Sequence, residues 1–230
     1  MSAIYLIRHG QAAFGEADYD RLSERGTQQA RVLGASLTQA LRAAHVAVCG
    51  DMQRHRQTAQ ACLDAMGRAV EWRTDAQWNE FDHERIVHAY RPDDADHASL
   101  RAELMASPDP RRAFQAMFEA AVARWVGGAH DADYAETWPA FRARCRQALD
   151  DLLMQLPRAT DALVFTSGGP IATIAQDLLQ IPDSHGFKLN WMLVNGGVTK
   201  LIVGRRGAHL STLNGHAHFE RGPAGLITYR

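Results

Sequence analysis

Apolar residues recur along this chain with two spacings, and their alternation lays out an α/β protein. Ile4-Tyr5-Leu6-Ile7 is a short, β-branched and apolar run of the kind that forms a buried strand. It ends abruptly in Arg8-His9-Gly10-Gln11. Gln11 to Arg21 reads as a polar loop with Gly15 and several acids, and Ser23 then stands as N-cap to a helix. Ala30, Leu33, Leu37 and Leu41 keep a helical spacing that lays one apolar face on a sheet. Val46-Ala47-Val48-Cys49 is a second strand-type run, broken at Gly50-Asp51. A second helix is predicted from about Gln53 to Met66, stopped by Gly67. Alternating Val70 and Trp72 suggest a third strand leading into Gln77-Trp78-Asn79-Glu80-Phe81.

From His83 to Thr137 the pattern changes to Ala, Asp, His and Arg, with breaks at Pro92, Pro108, Pro110 and Gly127-Gly128. Phe114, Met117, Phe118, Val122 and Trp125 keep a helical spacing between those breaks. Trp138 to Leu156 is a long helix with Phe141, Cys145, Leu149, Leu152 and Leu153 facing inward, stopped by Pro157. Ala162-Leu163-Val164-Phe165 is a strand, Thr166-Ser167-Gly168-Gly169 a tight turn, and Pro170 sits where a helix can begin. Val198 to Val203 and His209 to Leu213 form a hairpin around Gly204-Arg205-Arg206-Gly207. Strands alternating with helices predict a three-layer α/β/α sandwich with a mostly parallel central sheet. The expected organisation is one domain over 1–230, with a helical cap inserted at about 83–137 over the C-terminal ends of the strands. A packing excursion with no role fits the composition of the insertion equally well.

Composition narrows the function classes. A formal charge of −1 over 230 residues gives no basic field, so nucleic acid is not an expected partner. No apolar run approaches the roughly 20 residues a membrane helix needs. The first residues lack the basic and apolar regions of a secretory signal, so a cytoplasmic protein is expected. Cys49, Cys62 and Cys145 are odd in number and widely spaced, which fits buried free thiols better than disulfides or a zinc knuckle.

Four short segments at strand ends or helix starts bear chemistry. Ligands of open α/β sheets bind beyond the carboxyl ends of the strands. There, His9 is placed to attack a phosphoryl group while Arg8 holds its oxygens through a planar fork of donors. Arg54 opens the second helix and adds a guanidinium near a positive helix end. Glu80 follows a strand as a general acid, and the Thr166–Gly169 turn offers backbone N–H groups to an anion. Taken singly, each has a plain structural reading: a polar turn, a solvated arginine, a loop acid, a tight turn.

Together they resemble the histidine phosphatase superfamily, or phosphoglycerate mutase-like family, over most of the chain. Arg8-His9-Gly10 looks like its Arg-His-Gly signature. Leu22-Ser23-x-x-Gly26-x-x-Gln29-Ala30 is similar to the Leu-Thr/Ser-x-x-Gly-x-x-Gln-Ala segment. Met52-x-Arg54-x-x-Gln57-Thr58-Ala59 resembles the Leu-x-Arg-Ala-x-Gln-Thr-Ala helix start. Asn79-Glu80 falls where the family has its acid, and Val164–Gly169 looks like the Val-Val-Ser-His-Gly-Gly turn. The resemblance implies a phosphatase acting on a phosphate monoester or related phosphoryl compound. His9 would form a phosphohistidine that water hydrolyses. Arg8, Arg54, Ser167 and Gly168 would bind phosphate, and Glu80 would protonate the leaving group and then activate water. Gln11 and His218 are candidates for a supporting layer around them.

Two departures stand out. Ser167 occupies the place of the second family histidine, and brings one hydrogen bond but no imidazolium charge. His218, His55 and His83 are imidazoles that could reach the pocket instead, although each reads more simply as a surface or supporting histidine. After Glu80, Phe81-Asp82-His83-Glu84 stands where family phosphatases have Gly-x-Trp-Glu-Gly, and Arg111-Arg112 could touch a substrate anion or simply be solvated. His216-x-His218 lacks a third ligand at metal spacing, so neither metal nor other cofactor is expected. Ser167 keeps open a second reading, a weakened member that binds a phosphate ester or a protein partner. A mutase ranks third. The expected partner is a small phosphorylated substrate, and the apolar positions of the last strands suit a core or a homodimer seam.

Overall fold

The computed structural model describes residues 2–13, 20–41, 45–67, 70–92 and 98–229. Gly15 and its neighbours in the loop after Gln11 lie outside them.

Strand β1 (Ser2–Arg8) is buried along its whole length. Burial on both faces explains an unbroken apolar run where a half-exposed strand would alternate. It pairs in parallel with β4 (Asp161–Thr166), Leu6 opposite Val164, and antiparallel with β5 (Val198–Gly204), Leu6 opposite Thr199. Strand β2 (His45–Cys49) lies between β4 and the short β3 (Trp72–Thr74), parallel to both. The predicted hairpin forms as β5 and β6 (Gly207–Gly215), so the sheet order is β3-β2-β4-β1-β5-β6. The sheet is thus parallel from β3 to β1 and antiparallel beyond. Strand β3 begins at Trp72, leaving Val70 just ahead of it.

Helix α1 (Glu24–Ala40) opens at the predicted cap, with Ser23 Oγ accepting the Gly26 N–H at 3.0 Å. Helix α2 (Gln53–Met66) stops at Gly67, whose φ of 64° suits a residue without a side chain. Tyr5, Ile7, Ala47, Cys49, Leu163 and Phe165 form one cluster with Leu33 and Leu37 of α1 and Cys62 and Leu63 of α2. Ile4, Leu6, Val48 and Val164, which point the other way, are equally buried. Helix α7 (Gly168–Leu179) lies against β1 and contributes nothing to the first cluster.

Here one expectation is corrected. The Gly168-Gly169 pair is the first turn of α7, not a turn ahead of it. The first four N–H groups of a helix have no partner within it, so Pro170 costs no hydrogen bond at its third position. All three cysteines are buried and free. Burial pushes the Cys49 and Cys62 thiols up to about 12, which leaves them inert.

Residues Phe81–Ala143 form a compact unit of their own, inserted between Met1–Glu80 and Arg144–Arg230. The unit holds α3 (His83–Tyr90), α4 (Ala98–Ala106), α5 (Pro110–Val126) and the first turns of α6 (Trp138–Gln155). Asp82 and Asp109 cap α3 and α5 through the N–H groups of Arg85 and Arg112. Its core is aromatic: Trp125 lies 5.2 Å from both Phe81 and Trp138, ring centre to ring centre, and Phe141 packs among all three. Among the described residues, no helix is long and apolar enough to cross a membrane.

Candidate active site

The carboxyl ends of β1, β2 and β4 lie side by side, and hydrogen bonds carry the register just past them. The His9 N–H donates to Thr166 O at 2.9 Å and the Gly50 N–H to Phe165 O at 3.0 Å. These bonds hold Arg8-His9, Gly50 and Thr166-Ser167 at one edge of the sheet.

His9 is buried with its Nδ1 2.7 Å from Gly10 O. A carbonyl can only accept, so Nδ1 holds the ring proton and Nε2 keeps its lone pair. That lone pair receives the Arg54 Nε–H at 3.2 Å. Burial first, then the charges of Arg54 and Arg8 and the ring of His55, push the imidazole well below its ordinary range; the bond to Gly10 opposes them. His9 is therefore a neutral imidazole with a defined tautomer, the form in which the ring is a nucleophile.

The loop beneath it is fixed by backbone. The Gly10 N–H donates to Thr58 Oγ1 at 3.1 Å, and that hydroxyl donates to Arg54 O at 2.7 Å. A Cβ on Gly10 would stand 2.3 Å from Gly26 O, and one on Gly26 would stand 2.2 Å from Gln11 O. The glycines of two separate sequence segments are thus one feature, a passage of two backbones too close for any side chain.

Arg54, on the first turn of α2, is buried and pairs through Nη1 with Asp20 at 2.6 Å. The other oxygen of Asp20 accepts the Gln53 N–H at 2.7 Å, so one carboxylate caps α2 and holds the guanidinium. Asp20 escaped the sequence reading, whose only signal was a loop with acids. Arg8 donates through Nη1 to Leu193 O and, at 3.1 Å, to Tyr229 O. Glu80 reaches α7, where its Oε2 accepts the Gly169 N–H at 3.1 Å. The loop before it is tied down by Arg144, which donates to Gln77 O and Asn79 O at 2.9 Å each.

Ser167 is the N-cap of α7 and fully buried, yet among the described residues its side chain makes no capping bond. Its Oγ lies 2.6 Å from Nε2 of His55. The His55 ring, fully buried on α2, sits 5.7 Å from that of His9, centre to centre. Burial, then Arg54 and Arg56, push it well below its ordinary range, so it too is neutral.

Gln11 and His218 stand one layer out. Gln11 accepts at Oε1 from Ser23 Oγ at 3.2 Å and donates its N–H to Gln29 at 2.8 Å, which fastens the loop to α1. His218 contacts Gly196 O at 3.1 Å, and the Gly196 N–H donates to Arg8 O and His9 O at 3.0 and 3.2 Å. Burial first, and then His216, push His218 down to about 4, against the bond to Gly196. Asn195 adds a bond from Nδ2 to His9 O at 3.4 Å that no local pattern announced. His83, Arg111 and Arg112 belong to the inserted unit. Among the described residues, no three of His, Cys, Asp and Glu gather as metal ligands.

The model of the histidine phosphatase superfamily (branch 1) matches residues 4–216, and the chain belongs to that superfamily. Solved structures agree on the fold. An Entamoeba histolytica phosphoserine phosphatase variant in complex with phosphoserine is 19% identical, with a TM-score of 0.64 over 95% of this chain and 100% of that one. A mycobacterial glucosyl-3-phosphoglycerate phosphatase in complex with inorganic phosphate is 22% identical, with a TM-score of 0.60 over 94% and 98%. A phosphoglycerate mutase from Bacillus anthracis is 18% identical, with a TM-score of 0.63 over 94% of each. No curated protein matches the chain.

Proposed function

We propose that this chain is a phosphatase that hydrolyses a small phosphate monoester through a phosphohistidine on His9. The observation that carries the reading is the His9 Nε2 lone pair, left unprotonated by the Nδ1 bond to Gly10 and held at 3.2 Å by Arg54 Nε, a donor that the phosphoryl oxygens take over when substrate binds. Nε2 attacks phosphorus, the P–N bond forms and the ester P–O bond breaks. Arg8, Arg54, Ser167 and the Gly168 end of α7 hold the phosphoryl oxygens, stabilising the charge that develops there. Glu80, at the same helix end, gives its proton to the departing oxygen. Its carboxylate then takes one from water, which attacks phosphorus, breaks the P–N bond and releases inorganic phosphate. Family membership supports the class of reaction, and the phosphoserine and inorganic phosphate of the solved relatives support a small phosphorylated substrate.

The test is intact mass after an acid-free quench with an aryl phosphate. Wild type should gain one phosphate-sized adduct and His9→Ala none. A folded wild type that neither gains the adduct nor releases phosphate would sink the proposal and return Ser167 to the binding reading.

A further inference from the structure

We propose that Ser167 and His55 work as one donor to the phosphoryl group: His55 donates to the serine oxygen, and the serine hydroxyl proton is thereby directed to a phosphoryl oxygen. The inference rests on the phosphatase reading for its ligand class, a phosphoryl dianion, and on this chain's own geometry for the rest.

The hydroxyl is not engaged in capping. A serine at an N-cap usually accepts a backbone N–H two or three residues on. At α7 the available N–H, that of Gly169, goes to Glu80 instead. Ser167 Oγ stands 2.6 Å from His55 Nε2, so one proton lies between them, and the tautomer of His55 decides whose it is. The other ring nitrogen, Nδ1, is buried and has no hydrogen-bond partner among the described residues. It faces the backbone at Gly50, where an added Cβ would lie 2.2 Å away. A buried N–H without an acceptor is costly and rare, whereas a buried acceptor without a donor is tolerated more often. The proton of the neutral ring therefore sits on Nε2 and is donated to Ser167 Oγ.

Once its oxygen accepts from His55, the hydroxyl must send its own hydrogen elsewhere. Its surroundings are the proposed phosphate site: Thr166 O accepts the His9 N–H, and the His55 and His9 rings are 5.7 Å apart. Donation into Oγ also polarises the O–H bond, since chained hydrogen bonds strengthen one another. An imidazole fits behind the serine only because residue 50 is glycine. Ser167 is then a phosphate-binding residue and His55 the residue that positions it.

Two measurements test this. In protein labelled with ¹⁵N-histidine, NMR should report His55 as the Nε2–H tautomer; the Nδ1–H tautomer overturns the proposal without any variant having to fold. Calorimetry with inorganic phosphate then compares Ser167→Ala, His55→Ala, the double variant and His55→Gln, each first checked for wild-type melting behaviour. Each alanine variant should bind about 10-fold more weakly, the double no more weakly than either, and His55→Gln should recover most of the loss by restoring a donor near Nε2. Losses that multiply, or a His55→Ala protein that binds like wild type, overturn it. A coupled loss in a wild type that forms no phosphoenzyme upholds the pair and removes the phosphatase reading. A phosphoenzyme without coupling does the opposite.

Discussion

Helices α1 and α7 both begin with a serine, and the two serines do opposite things. Ser23 turns its oxygen to the Gly26 N–H and closes its own helix. Ser167 makes no such bond, faces His55, and leaves the Gly169 N–H to a carboxylate 89 residues away in sequence. Helix α2 resembles α7: Met52 cannot cap it, and Asp20, from a distant loop, does. Helix α1 carries its cap with it. Helices α2 and α7, which begin directly after β2 and β4, take theirs from remote acids, and each of those acids also touches the proposed phosphate site. The side chains of the helix starts, Arg54, His55 and Ser167, are thereby not spent on capping.

The contrast can be broken or sharpened by experiment. His9→Ala has the largest expected effect: loss of the phosphoenzyme and of turnover by at least about 10⁴-fold, read with an aryl phosphate. Glu80→Gln comes next. Its amide oxygen can still accept from Gly169, so the urea midpoint should hold while turnover falls by about 10²–10⁴-fold, because the amide has no acidic proton to give the leaving group and no basic oxygen to take one from water. A fall in stability with turnover intact would make Glu80 a cap and nothing more.

Acid comes third. His9, His55 and His218 are all held below the ordinary imidazole value of about 6.5 in the folded chain, so the unfolded chain binds protons first as pH falls. Stability should be complete above about pH 6.5 and decline below it. Each ring that is neutral when folded and charged when unfolded adds up to about 1.4 kcal/mol per pH unit, and the contribution of His218 is lost between about 6.5 and about 4. Urea midpoints from pH 7.5 to 5 measure this, and a flat profile would contradict the buried neutral histidines. Ser23→Ala is the smallest: about 1 kcal/mol of unfolding free energy, with turnover kept within a few-fold.

Local signals were legible in the chain, and what they specify is local. Ser23, Gly67 and Pro157 mark helix ends within a few residues of themselves, and the run Ile4–Ile7 marks a strand buried on both faces. The motif residues His9, Arg54, Glu80 and Ser167 could be picked out because each sits at a strand end or helix start. Their contacts could not. Arg54 meets Asp20 across 34 residues, and Ser167 meets His55 across 112, because the sheet order sets β2 beside β4. Nor does apolar alternation distinguish a hairpin added antiparallel to β1 from one that stands apart. The start of α7 is hidden for a different reason: Gly168-Gly169 looks like a turn in the sequence, and the acid that receives its N–H comes from 89 residues away. In the inserted unit, spacing predicted α5, but the aromatic cluster of Phe81, Trp125, Trp138 and Phe141 joins residues that no short window contains.

Because main-chain atoms fill the gap where Gly10 and Gly26 pass, a side chain at one position cannot be accommodated by trimming the other. The crossing ties the His9 loop to the first turn of α1 as a single structural part. Anyone retuning this protein by exchanging loops would have to move both segments together, and a library that varies one of them while holding the other should return glycine at both places.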